Sequence, residues 1–163
     1  TASEPVYRPA KPKKTEKEYL LVDGYNIIFA WDELNALAKD SLEAARHKLM
    51  DILCNYQGYR GCNLILVFDA YKVPQNLGMV EKYHNIFIVY TQEAETADSY
   101  IERVTYELRG RKRVRVATSD NLEQLIILGH GAVRVSAKSF HDEVMQTQQE
   151  IERILAQNNQ KNQ

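Results

Sequence analysis

The sequence lacks several features that would place it in a special class. No apolar run approaches the roughly 20 residues that a membrane-spanning helix requires. The two cysteines, Cys54 and Cys62, fit neither a metal-binding spacing nor a disulfide framework, and no signal peptide is visible, so we expect a cytoplasmic protein. The chain also has no large excess of charge of one sign, because 21 basic residues balance 22 acidic ones. This balance excludes a uniformly basic nucleic-acid coat.

The chain of 163 residues is long enough to bury one full core. Residues 1–18 combine three prolines with four lysines and are predicted to be a flexible linker or arm. This arm is either a tether from a preceding domain in a longer chain or a disordered arm. Its charged tract either contacts nucleic acid or is a solvated tail. Residues 19–156 are predicted to form the folded domain. Residues 157–163 contain only Asn, Gln and Lys, and are predicted to be a disordered tail.

Short apolar runs alternate with helical patterns along the folded part. Continuous apolar runs of this length are typical of strands buried on both faces, and strands that alternate with helices predict a parallel sheet between two helical layers. The fold class is therefore α/β, with three layers and about five parallel strands. The predicted strands are residues 19–23, 64–68, 86–90, 114–117 and 132–135, and the predicted helices are residues 41–59, 96–108, 119–128 and 139–156.

Acidic residues follow the carboxyl end of most of these strands, which is where open parallel sheets bind ligands. A single aspartate at such a place usually caps a helix or accepts turn hydrogen bonds. Four junctions that share one edge of the sheet are harder to explain in that way, since converging carboxylates repel each other without a cation. We therefore expect a site for Mg²⁺ or Mn²⁺, suited to phosphoryl chemistry. The four aspartates are Asp23, Asp69, Asp98 and Asp120.

For each polar neighbour of these acids, the sequence leaves two interpretations open, one functional and one structural. Asn26 either orients Asp23 or a phosphate, or caps a helix. Thr118 and Ser119 either bind phosphate, or Ser119 caps the following helix. Glu95 either joins the acidic cluster as an accessory acid, or stands near a helix start because the helix dipole favours it there.

The motifs around these acids resemble those of the YacP-like NYN domains, which belong to the PIN-like nucleases. The similarity spans residues 19–155 and consists of four motifs in order: LLVDGYN from Leu20, VFDA from Val67, ETAD from Glu95 and ATSD from Ala117. The resemblance implies a PIN-like Rossmannoid sheet with strand order 3-2-1-4-5.

The resemblance also implies a metal-dependent endoribonuclease that leaves a 3′-hydroxyl and a 5′-phosphate. The four aspartates would be catalytic, with Asp23, Asp98 and Asp120 as metal ligands and Asp69 as a further ligand or a base for water. Asn26 would be a polar accessory. Because the family includes a ribosome-associated endoribonuclease, RNA, in particular mRNA, and a translating ribosome are the expected partners.

An RNA substrate requires cations and stacking surfaces near the acids. Lys72 directly follows the second acidic junction, and Tyr25 and Tyr71 follow the first and second. The two tyrosines either stack on unpaired bases or pack in the core or at its rim. The connection from Phe68 to His84 is predicted to be a mobile loop that helps to select the RNA. A basic cluster over residues 109–115 is placed by the topology at the opposite end of the sheet.

Two other functions remain open on the sequence alone. A receiver-like signalling domain has a similar sheet and an acidic pocket, but its phosphorylated aspartate follows the third strand, where this chain has Tyr90 and Thr91. The other alternative is a non-catalytic RNA-binding or ribosome-binding module of the same fold, which intact acids argue against but do not eliminate.

Overall fold

A computed structural model describes residues 17–110, 113–119 and 131–162 of the chain. The described residues form a six-stranded sheet with helices on both faces. The strands are β1 (Tyr19–Asp23), β2 (Asn63–Phe68), β3 (Val80–Tyr83), β4 (Ile86–Tyr90), β5 (Val114–Ala117) and β6 (Val133–Val135). The helices are α1 (Gly24–Ala30), α2 (Asp32–Asp40), α3 (Leu42–Arg60), α4 (Ala97–Leu108) and α5 (Ala137–Lys161).

The sheet has the order β3-β4-β2-β1-β5-β6, and all neighbouring pairs are parallel except β3 with β4. The five parallel strands are the five predicted ones, and their order confirms 3-2-1-4-5. β1 lies in the middle, with Asp23 opposite Val67 of β2 and Val22 opposite Ala117 of β5. The residues that follow β1, β2 and β5 therefore meet at one edge, here called the acidic edge.

Alternate residues of the central strands face two separate cores. Leu20 and Val22 of β1 pack with α1, α2, α3 and α5 on one face, while Leu21 packs with α4 on the other. Because all three side chains are almost fully buried, β1 has no solvent-facing side, as the continuous apolar run predicted.

Capping side chains set the starts of the long helices. The Ser41 hydroxyl accepts a hydrogen bond of 3.1 Å from the Ala44 amide at the start of α3, which confirms the predicted cap. Thr96 and Ser136 do the same at α4 and α5. Gly61, in the left-handed region with φ 73°, ends α3.

Three local predictions need correction. Residues 24–40, for which the sequence patterns predicted no helix or strand, form the two helices α1 and α2. The connection from Phe68 to His84 is not one loop, because it contains two short 3₁₀ turns and the edge strand β3, which pairs with β4. α5 continues to Lys161 through residues that were predicted to be disordered. The predicted helix over 119–128 lies almost entirely outside the described residues.

The end of the sheet opposite the acidic edge is held by an ion network around Glu143 of α5. Arg115 of β5 donates to both Glu143 oxygens at 2.9 and 2.6 Å, and Arg60 donates to one of them at 2.6 Å. These bonds, with that from the Tyr56 hydroxyl, lower the pKa of Glu143 to about 2 against the opposing effect of burial. Glu18 also pairs with Arg115, at 3.5 Å.

Two arginines of the predicted basic cluster, Arg109 and Arg115, have side-chain partners within the chain. Arg115 is committed to Glu143 and Glu18. The guanidinium of Arg109 lies 3.6 Å from the centre of the Tyr106 ring. Arg111 and Lys112 lie outside the described residues. The position of Arg115, opposite Leu20 near the start of β1, confirms that this cluster is remote from the acidic edge.

Candidate active site

Asp23 and Asp69 stand at the ends of neighbouring parallel strands. Asp23 is the last residue of β1 and is only 6% exposed. Asp23 lies opposite Val67 of the neighbouring strand β2, and Asp69 follows two residues after Val67. The sharp exit from β1 depends on Gly24, because a Cβ there would overlap the Phe68 ring and lie 2.9 Å from the Val67 carbonyl oxygen.

Asp69 is fixed by the first turn of α4. Its Oδ1 accepts a hydrogen bond of 2.7 Å from the Ala97 amide. Burial raises the pKa of Asp69, and the negative charge of Asp98 raises it further, whereas the Ala97 bond and the positive charge of Lys72 act in the opposite direction. Asp98 itself is exposed in the first turn of α4. Two predicted site carboxylates therefore interact at the acidic edge.

Glu95 has partners of its own in the turn that leads into α4. One of its oxygens pairs with the guanidinium of Arg103 at 3.2 Å, and the other accepts a bond of 3.4 Å from the Gln92 amide. The carboxylate therefore shapes the turn that presents Asp98. Its predicted role as an accessory acid stays a prediction.

Asn26 connects α1 to the segment that follows β5. Its Oδ1 accepts a hydrogen bond of 2.8 Å from the Ser119 amide, 93 residues away in sequence. The Ser119 hydroxyl in turn accepts a bond of 3.1 Å from the Ala137 amide at the start of α5. Asn26 is thus within a helix rather than at its cap, and it positions the chain immediately before Asp120.

Two predicted site residues need separate mention. The side chain of Thr118 is fully buried, and the carbonyl of this residue accepts a bond from Arg134, so its hydroxyl is not at the surface. Asp120 lies outside the described residues. Phosphate contact by Thr118 or Ser119 and metal binding by Asp120 both stay predictions.

The two predicted stacking tyrosines have different environments. Tyr25 is 4% exposed and packs against Phe68 with ring centres 5.1 Å apart, which agrees with the packing alternative. Burial raises its pKa, while Arg46, which donates to its hydroxyl at 3.4 Å, lowers it. Tyr71 is 73% exposed, and the Lys72 ammonium lies 5.0 Å from its ring centre. The sequence patterns did not point to Phe29, which is 47% exposed beside the same ammonium.

The acidic edge supplies the donor chemistry of a hard cation but not a complete set of ligands among the described residues. Carboxylate oxygens suit Mg²⁺, which commonly uses one or two carboxylates and keeps several waters. Within residues 17–110, 113–119 and 131–162, no three acidic, histidine or cysteine side chains form a group that could hold a metal ion. The described acids therefore have the oxygen donors that Mg²⁺ prefers, but they do not form a complete site by themselves.

A cavity of about 770 Å³ lies elsewhere, between α3, the turn that joins β3 to β4, and the far half of α5. Its lining is mainly apolar, with Tyr59, Ile154 and Leu155 among the lining residues. No predicted site residue lines it, so the acidic edge remains the candidate active site. In the part of the chain that is described, no helix is long and apolar enough to cross a membrane.

A central parallel β1 between β2 and β5, with helices on both faces of the sheet, is the architecture of the PIN-like fold. The sequence model of the YacP-like NYN domain matches residues 20–163, and the chain belongs to this family. This membership confirms the predicted resemblance and favours a nuclease-type domain over a receiver.

Similar proteins come from Bacillus subtilis. The chain is 42% identical over 137 residues to YacP of strain 168, an alignment that covers 83% of this chain and 80% of YacP. A crystal structure of Rae1 (YacP) matches with a TM-score of 0.77 and 37% identity, over 88% of this chain and 83% of that one. A tryptophan-to-leucine mutant of Rae1 matches with the same TM-score and 38% identity, over 88% and 84%.

Proposed function

We propose that this domain is a metal-dependent endoribonuclease that hydrolyses phosphodiester bonds of RNA. The observation that carries the proposal is the juxtaposition of Asp69 and Asp98 at the acidic edge beyond Asp23. Asp69 is bonded to the Ala97 amide at 2.7 Å, and the charge of Asp98 raises its pKa. Two carboxylates that repel each other destabilise the fold unless a cation lies between them. Such pairs are typical of functional sites. Membership in a nuclease-type family supports the same reading.

Asp23, Asp98 and Asp120 are the residues proposed to hold Mg²⁺ or Mn²⁺. When bound, such an ion activates water and stabilises charge on the phosphate oxygens. Asp69 is proposed either as a further ligand or as the base that takes a proton from the attacking water, since burial raises its proton affinity. The Ala97 amide holds its carboxylate in one orientation.

Residues around the acids are proposed to place the RNA backbone. Lys72, three residues after Asp69, offers an ammonium to a phosphate oxygen. Asn26 fixes the segment before Asp120 through the Ser119 amide. The substrate is proposed to be mRNA, with a translating ribosome as a partner in the cytoplasm.

The test is cleavage of a labelled mixed-sequence RNA by the wild type and by Asp98→Asn, with Mg²⁺ or Mn²⁺ and with EDTA as a control. We expect cutting that requires the metal and falls by at least about 100-fold in the variant. Asp40→Asn is the matched control, since Asp40 is also an exposed aspartate but ends α2. Cutting that survives EDTA or Asp98→Asn would contradict the proposal.

A non-catalytic RNA-binding module is the second candidate. The exposed Tyr71 beside Lys72 favours RNA contact whether or not cleavage follows. If the wild type binds RNA but does not cut it, repetition of the assay with translating ribosomes separates the two. Cleavage only on the ribosome supports an enzyme that requires ribosome-held message, and no cleavage in either setting supports the binding module.

A further inference from the structure

Two exposed aromatic rings share one ammonium beside the acidic edge. The Lys72 Nζ lies 5.0 Å from the centre of the Tyr71 ring and 5.7 Å from that of Phe29. Phe29 comes from α1 and is 47% exposed, whereas Tyr71 comes from the 3₁₀ turn after β2 and is 73% exposed. We call the set Phe29, Tyr71 and Lys72 the aromatic platform.

A buried tyrosine supports the platform from below. The Tyr25 ring is stacked on Phe29, with centres 6.2 Å apart and planes 21° from parallel. Tyr25 also packs on Phe68 of the core and receives a hydrogen bond from Arg46. Its own ring centre lies 5.5 Å from the Lys72 ammonium. Phe29 is therefore backed by a fixed ring, which limits the entropy that it would lose on binding a ligand.

The chemistry of the platform matches that of a nucleotide. An ammonium over aromatic rings keeps N–H donors available for an anion. A phosphate at Lys72 would stand near Asp69, since the Lys72 charge acts on that carboxylate. The flanking base would then lie over Phe29 or Tyr71, because every base has a π-face that stacks on an aromatic ring. In a duplex that face is already covered by neighbouring bases.

We propose that Phe29, Tyr71 and Lys72 form a subsite for one unpaired nucleotide, with its base on an exposed ring and its phosphate on Lys72. This inference rests on the proposed function for the role of the RNA, but the subsite acts in binding rather than in cleavage. It seats the strand beside Asp69, and Phe29 is a positioning residue that touches the base next to the reacting phosphate.

Binding without cleavage tests the subsite directly. Fluorescence anisotropy in EDTA would compare a labelled short oligouridylate, an abasic strand of equal length and a matched duplex. We expect Phe29→Ala and Tyr71→Ala each to weaken oligouridylate binding about tenfold and to leave abasic binding nearly unchanged. Phe29→Trp should restore binding. Lys72→Gln should weaken the normal and the abasic strand alike and make the salt dependence shallower by about 0.7 in the log–log slope.

Phe87→Ala is the matched control, because Phe87 is 45% exposed on β4, outside the platform. Circular dichroism melts would show that each variant is folded. Equal binding by wild type and Phe29→Ala, an equal loss in Phe87→Ala, or a wild type that binds duplex and abasic strands as well as oligouridylate would overturn the subsite.

The failure of this proposal differs from failure of the nuclease proposal. If the wild type binds RNA in a Phe29-dependent manner but never cuts it, the nuclease proposal is contradicted and the subsite proposal is supported. Metal-dependent cutting with no effect of Phe29→Ala on oligouridylate binding would do the reverse.

Discussion

The carboxylate of Asp69 and the main-chain amide of Ala97 are joined by a hydrogen bond of 2.7 Å across 28 residues of sequence. The bond connects the residue that follows β2 to the start of α4, and so joins Asp69 to the helix that carries Asp98. It therefore fixes the spacing of two candidate catalytic acids while one of them stays half-buried and the other exposed. Because an amide oxygen can replace a carboxylate oxygen as the acceptor, charge and structure can be separated here by mutation.

Asp69→Asn should abolish cleavage and keep the fold. The variant retains an oxygen that accepts from the Ala97 amide but loses the charge that would bind a metal or take a proton, so we expect a loss of about 100-fold or more in cleavage rate. Urea unfolding should change by less than about 1 kcal/mol, since repulsion with Asp98 is also relieved. Asp69→Ala should lose both activity and about 1 kcal/mol of stability. Full activity in Asp69→Asn would exclude a role for its charge.

Asn26 should control the segment before Asp120. Asn26→Leu removes the acceptor for the Ser119 amide and should cost about 1–3 kcal/mol if that donor stays unpaired. Asn26→Asp keeps an acceptor oxygen and serves as the matched variant. Hydrogen exchange of the Ser119 amide, followed by NMR, should be fast in Asn26→Leu and slow in Asn26→Asp. Equal exchange in both would show that the side chain does not hold this segment.

Gly24→Ala should destabilise the domain because its methyl group overlaps the Phe68 ring and the Val67 carbonyl. We expect a decrease of about 1–3 kcal/mol in the free energy of unfolding, the usual cost of overpacking. Gly58→Ala is the control, since Gly58 lies within α3 and its Cβ would meet nothing closer than 3.7 Å. It should raise stability by about 0.5–1 kcal/mol through the higher helix propensity of alanine. A Gly24→Ala variant as stable as the wild type would refute the predicted overlap.

Glu143 should make stability depend on pH in the acid range. Its bonds to Arg115, and to Tyr56 and Arg60, lower its pKa to about 2 in the folded protein, below its ordinary value near 4.5. The stabilisation is therefore complete above about pH 4.5 and is lost as the pH falls towards 2, with a total of about 3 kcal/mol.

Urea unfolding from pH 7 to pH 3 would test this dependence. Glu143→Gln should be less stable at pH 7 and should show a flatter pH profile, because its side chain does not titrate and Arg115 loses its partner charge. Glu152→Gln is the control, as an exposed glutamate of the same helix. A wild-type profile that Glu143→Gln reproduces would assign the acid sensitivity to other groups.

Strands were easier to predict than the segments between them. The apolar run over residues 19–23 has no polar face, so a buried central strand was the natural interpretation. Residues 24–40 gave no such signal, because Gly24 and Asn26 are typical of a turn. β3 was missed since the exposed Val80 and its charged neighbours form a four-residue edge strand whose stability comes from pairing with β4.

The acidic edge followed from topology, but its detailed contacts did not. Parallel strands bring Asp23 and Asp69 to one edge whatever their side chains contact. The bond between Asn26 and Ser119 joins residues 93 positions apart, and no local pattern encodes such a distance. The exposure of Phe29 depends on how α1 lies against the core, and its place beside Lys72 depends on the turn after β2.

The ion network around Glu143 joins the segment before β1 to the last helix, at the end of the sheet opposite the acidic edge. Glu18 meets Arg115 next to the start of β1, and the far half of α5 passes Tyr59 and Asn85 at the same end of the sheet. A dye, an affinity handle or a surface linker at residue 17 or residue 162 is therefore attached on the far side from Asp69. Protein tethered to a bead or sensor chip through either position should present its acidic edge outward to RNA in solution.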